Sequence, residues 1–225
     1  ASDVYKRQEE EQLLLTRRAV GLLLEHGFKL LILTKSDLVL RDLDLIRGRP
    51  VSVSITITTL DELLARRLEP SAPPPARRLR CLEKLARAGV PVSARIDPIV
   101  PGLNDDPEGL RELVAALKAA GVRHVVASTY KARPDSLARL STVFPDMTWR
   151  WRKLYRAEGR WVEGYWYLNA RERLRLLKPV VEEAAGQGLT YATCREGLAG
   201  NPSYFNAPTC DGSHLISEAL CPEYP

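Results

Sequence analysis

One pattern occurs four times in this chain, and it restricts the fold more than any other feature. In each copy a stretch with helical periodicity ends in glycine, and an apolar segment follows at once: LLLEHG-FKLLILT, EKLARAG-VPVSARI, AALKAAG-VRHVVAS and EEAAGQG-LTYAT. The glycines at positions 27, 89, 121 and 188 fall where the residue after a helix adopts positive φ, which costs least for glycine. Helices that alternate with apolar strands predict βαβ units, an α/β fold and a parallel sheet.

The pattern also predicts where a functional site would lie. The four apolar segments predict strands over residues 30–34, 92–97, 124–128 and 189–193, and a fifth is predicted over 51–58, after a helix-like stretch near 42–47. Right-handed crossovers bring the carboxyl ends of parallel strands to one edge of the sheet. The segments at those ends are polar: TKSD, TITT, RIDP, STYK and CRE. Because ligands of α/β proteins bind at this edge, we predict a polar small-molecule site there.

Composition narrows the class of protein. The chain has 225 residues, a formal net charge of +5 and four cysteines, at positions 81, 194, 210 and 221. No apolar run reaches the ~20 residues of a membrane span, and the scarce cysteines indicate a reducing compartment, so we predict a cytoplasmic protein without membrane contact. An alternative prediction is a metal site formed by Cys194, Cys210 and Cys221, which lie near His214 in the sequence. The spacing of these cysteines instead favours structural thiols.

Residues 145–168, PDMTWRWRKLYRAEGRWVEGYWYL, depart from the βα pattern and hold all four tryptophans. Aromatic side chains interleaved with cations are typical of surfaces that bind single-stranded nucleic acid. An amphipathic helix that buries tryptophan while arginine faces water explains the same composition, and we favour that interpretation. We predict a boundary here, with residues 9–144 as a partial barrel and residues 145–225 as an extension that adds a last helix–strand unit and a cysteine-containing tail.

Five segments in a fixed order resemble a known family. ILTKSD, VSVSITITTLD, RLEPSAPPPARRL, RIDPIVPGLND and TCREGL…CDGSHLI are similar to radical S-adenosylmethionine (SAM) proteins of the spore photoproduct lyase class, often labelled DNA repair photolyases. The resemblance covers residues 9–218. It implies a partial (β/α) barrel of the radical SAM type. It also implies a [4Fe-4S] cluster held by C-x3-C-x2-C, and an electron donor such as flavodoxin or ferredoxin.

The resemblance also implies which residues bind the cofactor. Lys35 would meet the methionyl carboxylate, with Ser54 and Thr56 nearby on the next strand. Asp97, Pro98 and Ile99 would lie against adenine, in a loop that the prolines hold in place. In the family, the reduced cluster cleaves SAM to a 5′-deoxyadenosyl radical that abstracts hydrogen from the substrate. The resemblance assigns no residue to the catalytic step itself; Cys194 is a candidate hydrogen-atom donor.

This sequence departs from the family pattern at the cluster, because it contains no C-x3-C-x2-C. Residues 1–8, ASDVYKRQ, resemble the translation of a sequencing-library transposon end, so we expect them to be non-native. From these two observations we expect an amino-terminally truncated fragment that lacks its first strand or strands. As it stands, the fragment would be inactive because the cluster cysteines are missing.

Two alternatives belong to other classes of protein. The first is a different (β/α) barrel lyase or aldolase, in which Lys35 forms a Schiff base with the substrate. The second is a basic nucleic-acid-binding domain that uses the Trp/Arg segment of residues 145–168. The leading prediction remains a lyase-like radical SAM enzyme, with nucleic acid as a candidate substrate.

Overall fold

The computed structural model describes residue 10 and residues 12–220. The strands are β1 Leu30–Thr34, β2 Val51–Thr56, β3 Val92–Ile99, β4 His124–Thr129, β5 Arg160–Val162, β6 Tyr165–Tyr167 and β7 Thr190–Thr193. The α-helices are α1 Leu15–Glu25, α2 Leu43–Ile46, α3 Glu62–Leu68, α4 Pro75–Arg87, α5 Pro107–Ala119, α6 Pro134–Val143, α7 Thr148–Trp151, α8 Ala170–Gly186 and α9 His214–Leu220. Short 3-10 helices cover Asp37–Asp42 and Pro145–Met147, and a π-helix covers Arg152–Ala157.

Five strands form one parallel sheet in the order β1-β2-β3-β4-β7, and β5 and β6 form a separate antiparallel hairpin. The order follows the chain, so each helix crosses over to the neighbouring strand, as the four-fold pattern predicted. This confirms the predicted α/β fold with parallel strands. Strand β7 belongs to the same sheet, although it lies in the range 145–225. The five-stranded sheet therefore contains strands from both sides of the predicted boundary near residue 145, and the division of the chain at that point stays a prediction. Residues 1–8 and Cys221 lie outside the described residues.

Glycine ends the helices where the pattern indicated. Gly27, Gly89, Gly121 and Gly188 all have positive φ, between 67° and 88°. At Gly121 a second reason is visible, because a Cβ atom there would lie 2.6 Å from Cβ of Ala86 on α4. This turn therefore needs both the conformational freedom of glycine and its lack of a side chain.

Two strand boundaries differ from the prediction in an informative way. Strand β2 ends at Thr56 rather than at residue 58, and β3 continues past Asp97 to Ile99. The parallel ladder between β3 and β4 is irregular between Ile96 and Ile99, and it resumes where Ile99 pairs with Thr129. Pro98 lacks an N–H, so it interrupts the ladder without ending the strand.

The two faces of the sheet are covered differently. Helices α4, α5 and α8 pack their leucine and valine side chains against one face and form a single hydrophobic core with β2, β3 and β4. The carboxyl-terminal segment that includes residues 210–217, called the tail below, covers the other face near the amino ends of the strands, and Leu215 and Ile216 are buried there. Gly212 lies so close to β3 that a Cβ atom there would be 3.0 Å from Ser93. Within the described residues, no helix combines the length and apolar character that a bilayer span needs.

Candidate functional site

Two cavities lie at the carboxyl edge of the sheet, and Lys35 lines both. The larger, about 640 Å³, is bounded by helix α1, by β1 and the segment after it, and by Thr56 and Arg95 on β2 and β3. The smaller, about 290 Å³, lies between Lys35, Pro98, Tyr130 and helix α6. The larger volume falls within the usual range of small-molecule sites. The strand ends therefore bring predicted site residues to one shared opening.

Lys35 belongs to a group of three charged side chains. Its Nζ lies 2.9 Å from Oε1 of Glu69, and Oε2 of Glu69 lies 2.6 Å from Nη2 of Arg78. Arg78 is almost completely buried and also donates hydrogen bonds to the carbonyl oxygens of Pro73 and Thr56, at 2.7 and 2.8 Å. The group thus links β1, the end of β2 and the segment between α3 and α4. Its two cations and one anion leave one positive charge at the cavity wall.

Arg95 and Asp97 form a second pair on β3. Nη2 of Arg95 donates to Oδ2 of Asp97 at 2.7 Å. Burial opposes the charge on Arg95, but the hydrogen bond and charge of Asp97 outweigh it and raise the pKa of the guanidinium. Asp97, and not Glu69, is therefore the carboxylate partner of Arg95.

Asn104 fixes the loop after β3, and sequence analysis did not identify it. Its amide nitrogen donates to the carbonyl oxygens of Thr58 and Pro98, and its Oδ1 accepts from the backbone N–H of Val100 at 2.7 Å. The Pro98 carbonyl, which we expected to face adenine, therefore already has a partner. A short polar side chain after a Pro-Gly turn is the one signal that could have indicated this role.

The predicted cofactor-binding residues are not equally accessible. Lys35 and Thr56 line the larger cavity, and Pro98 lines the smaller one. Asp97 is partly exposed beside Arg95. Ser54 and Ile99 are fully buried and line neither cavity, and within the described residues the Ser54 hydroxyl has no hydrogen-bond partner. Their roles toward a cofactor stay predictions.

A buried ion pair at the ends of β4 and β7 was also not identified from the sequence. Nζ of Lys131 lies 2.5 Å from Oε1 of Glu196, whose carboxylate also accepts from the backbone N–H of Thr129. Burial of Lys131 disfavours its charge and lowers its pKa, although Glu196 acts in the opposite direction. Arg173 of α8 donates to the Glu196 carbonyl. This pair joins two strand ends that are distant in sequence.

Cys194 follows β7 and is partly exposed, and its backbone is fixed on both sides. Its N–H donates to Ala127, and its carbonyl oxygen accepts from Ser128 and Lys131. Cys210 is exposed, whereas burial raises the pKa of Cys81 to about 12, as expected for a core thiol. Among the described residues, no three His, Cys, Asp or Glu side chains are grouped to hold a metal ion.

The Trp/Arg segment combines both interpretations of its composition. Trp151 and Tyr155 are buried, and they donate to the carbonyl oxygens of Pro101 and Tyr130 respectively. Trp149 and Trp161, in contrast, are 74% and 47% exposed. Arg150, Arg152, Arg156 and Arg160 are also exposed, and within the described residues none of them pairs with a carboxylate.

The hairpin of β5 and β6 extends this surface toward the site edge. Ala132 and Trp166 exchange backbone hydrogen bonds, which attach the hairpin to the segment after β4. Arg195, two residues past the end of β7, lies with Cζ 4.9 Å from the Tyr165 ring and donates to the Tyr167 hydroxyl. Aromatic rings and cations therefore continue from the helix at residues 148–157 to the end of β7.

Sequence comparisons find uncharacterized relatives of this chain. An uncharacterized protein of Mycobacterium tuberculosis is 32% identical over 163 residues, which cover 69% of this chain and 48% of that protein. An uncharacterized protein of Methanocaldococcus jannaschii is 38% identical over 105 residues, 46% of this chain and 40% of that protein. The chain thus spans about half or less of the length of these relatives.

A structural comparison supports the fold. A spore photoproduct lyase mutant with dinucleoside spore photoproduct superposes with a TM-score of 0.62 at 17% identity, over 80% of this chain and 56% of that one. The five-stranded parallel sheet is accordingly that of a partial radical SAM barrel. The sequence profile of the radical SAM superfamily matches residues 2–114. The strands that carry Lys35, Thr56 and Arg95 lie within that match, and the chain belongs to the radical SAM superfamily.

Proposed function

We propose that this chain provides the SAM-binding edge of a radical SAM enzyme. The observation that carries the proposal is the larger cavity, whose wall brings Lys35, Thr56 and Arg95 together at the carboxyl edge. SAM presents a carboxylate, an ammonium group, ribose hydroxyls and adenine. The ammonium of Lys35, the hydroxyl of Thr56 and the Arg95–Asp97 pair supply matching donors and acceptors, so this set of side chains fits the cofactor.

Each residue has a separate part in this proposal. Lys35 binds the methionyl carboxylate by a charge-assisted hydrogen bond, and Thr56 donates to the same end or to ribose. The partly exposed carboxylate of Asp97 orients a polar group of the cofactor, and Pro98 offers an apolar surface. When bound, the sulfonium supplies the radical chemistry of the family. In the described part of the chain no ligand set fits a cluster, so no residue is assigned to one.

A binding experiment tests the proposal on the purified protein. We expect Lys35→Met to weaken SAM binding, measured by isothermal titration calorimetry, by about tenfold or more, because a charge-assisted hydrogen bond is lost. Lys178→Met is the matched control, because Lys178 is exposed on α8 and lies 3.6 Å from Glu182. Equal SAM affinity of Lys35→Met and the control would contradict the proposal.

We further propose nucleic acid as the substrate class of the lyase-like reaction. Two observations support this: exposed Trp149 and Trp161, and four exposed arginines without carboxylate partners in the described residues. Exposed aromatic rings stack on bases, and unpaired cations neutralise phosphates. The hairpin carries Trp161 and Arg160 and is attached to the segment after β4. Cys194, after β7, is the proposed hydrogen-atom donor.

Salt-dependent binding of single-stranded DNA tests this second proposal. We expect Trp161→Ala to weaken binding of a short oligonucleotide by roughly 1–3 kcal/mol through lost stacking. Arg152→Ala should make the plot of log affinity against log salt concentration less steep, by about the amount that one phosphate contact contributes to the slope. Arg87→Ala is the control, because Arg87 is exposed at the end of α4, toward the opposite end of the strands. Salt-independent binding, or equal effects of Arg152→Ala and Arg87→Ala, would contradict it.

A further inference from the structure

Glu69 lies where it competes with any ligand for Lys35. The Lys35 ammonium is the cation that both cavities share, and it lies 2.9 Å from Oε1 of Glu69. A ligand carboxylate at this position would repeat the contact that Glu69 already makes. The neighbouring carboxylate must therefore either hold Lys35 in place for the ligand or leave Lys35 when the ligand arrives.

The two cationic partners of Glu69 differ in a way that decides between these roles. The Arg78 side chain is 2% exposed and has two backbone carbonyl partners besides Glu69, so it is fixed. The Lys35 side chain is 35% exposed and borders open cavity space. The backbone of Glu69 is fixed, because its N–H donates to the Ala65 carbonyl and its own carbonyl accepts from the N–H of Ala72, and its carboxylate contacts the buried Arg78. Lys35 is thus the partner that can be exchanged, and Arg78 is the partner that remains.

The charge of the group favours such an exchange. Lys35, Glu69 and Arg78 together carry one net positive charge, and the neighbouring Arg95 is already neutralised by Asp97. If a ligand carboxylate takes Lys35, Glu69 keeps an ion pair with Arg78, and no buried carboxylate is left without a cation. The cost of burying an unpaired charge is avoided in both states.

We propose that Glu69 is an internal carboxylate that occupies Lys35 in the ligand-free protein and is displaced from it by the carboxylate of the ligand. Glu69 is then a specificity-determining positioning residue. It keeps Lys35 paired until a ligand offers a carboxylate at the same point, and it disfavours ligands that lack one. The inference rests on the proposed role of Lys35 in binding SAM.

Calorimetric titration with SAM distinguishes a Glu69 that competes with the ligand carboxylate from a Glu69 that only holds Lys35 in position. Glu69→Gln removes the competing charge, so we expect SAM to bind about three- to tenfold more tightly than to wild type, the effect of losing one modest ion pair. Glu62→Gln is the matched control, because it removes the same charge from the exposed start of α3. Unchanged or weaker binding to Glu69→Gln would overturn the proposal.

A second readout keeps the inference separate from the proposed function. If no variant binds SAM, the proposed function fails. The role of Glu69 is then tested by acylating Lys35 with an amine-reactive reagent and measuring the rate of modification by mass spectrometry. We expect Lys35 to react at least about threefold faster in Glu69→Gln than in wild type or Glu62→Gln, because the ion pair no longer holds the amine. Equal rates would overturn the inference.

A third variant applies if Glu69→Gln does not fold. Lys35→Met leaves Glu69 paired with Arg78, so we expect its Tm to fall by less than about 4 °C, as for loss of a partly exposed ion pair. A larger fall would show that Lys35 is a required partner of Glu69 rather than an exchangeable one, and it would overturn the proposal.

Discussion

The two ends of the parallel strands are built for different purposes. At the carboxyl end, Lys35 and Arg95 line an open cavity, and each is paired with a carboxylate: Lys35 with Glu69 from another segment, and Arg95 with Asp97 on the same strand. At the amino end, His124 is fully buried and Gly212 of the tail lies directly over Ser93. The comparison teaches that polar side chains occur at both ends of one sheet, and that the covering segments decide which end keeps an open cavity.

The largest effect is expected at the carboxyl end, from Arg78→Met. The substitution leaves Glu69 buried without its fixed cation, so we expect the free energy of unfolding to fall by about 3–5 kcal/mol. Arg77→Met is the control, because the ion pair of Arg77 with Asp37 is largely exposed and should contribute less than about 1 kcal/mol. Urea denaturation measures both. Similar losses would mean that burial does not distinguish the two arginines.

The next effect tests the amino end through pH. Burial, followed by the nearby His214, lowers the pKa of His124 from 6.5 to about 4. Between these values the unfolded chain binds a proton that the folded chain excludes, so stability is lost as pH falls through this window, by about 3 kcal/mol in total. We expect His124→Gln to flatten the change in unfolding free energy between about pH 7 and pH 5. Exposed His26→Gln should leave it unchanged.

Asp211 and Arg95 also act on His124, in opposite directions. They remain charged throughout the window from pH 7 to pH 5, so they do not alter the sign of the expectation. A pH dependence that is identical in wild type and His124→Gln would show that other groups produce it.

A smaller effect measures how closely the tail approaches the sheet. Gly212 and Gly197 both have positive φ, but a Cβ atom at Gly212 would meet Ser93 and His124 at 3.0–3.1 Å, whereas at Gly197 nothing lies within 4 Å. We expect Gly197→Ala to lower stability by about 1 kcal/mol through backbone strain alone, and Gly212→Ala by roughly 1–3 kcal/mol more. Equal losses in thermal or urea unfolding would show that the tail yields without cost.

The smallest effect is expected from the surface contact of the tail. Nζ of Lys29 lies 3.4 Å from the Ser217 hydroxyl, an exposed contact beside the buried Leu215 and Ile216. We expect Lys29→Ala to change the unfolding free energy by less than about 0.5 kcal/mol, because apolar burial holds the tail. A loss as large as that of Gly212→Ala would show that the polar contact holds the tail.

Local rules predicted much of the fold and only part of the site. The four glycines after helices and the apolar segments depend on neighbouring residues alone, so they gave the order of strands and helices and the edge where Lys35 lies. The contact of Lys131 with Glu196 and that of Asn104 with Thr58 span 65 and 46 residues, and no local pattern predicts which distant segments meet. Pairing of charges across strand ends depends on tertiary geometry, and this is why sequence analysis did not link Glu69 to Lys35.

The three hydrogen bonds of Asn104 have a mechanical consequence. Because one side chain holds the segment after β2 and both sides of the turn after β3, the two loops cannot shift independently. A lengthened turn between Val100 and Asn104 would also release the end of the adjoining strand, so divergence of this loop among relatives should be accompanied by changes near Thr58. The position to compare in distant members is therefore Asn104, which lines neither of the two cavities.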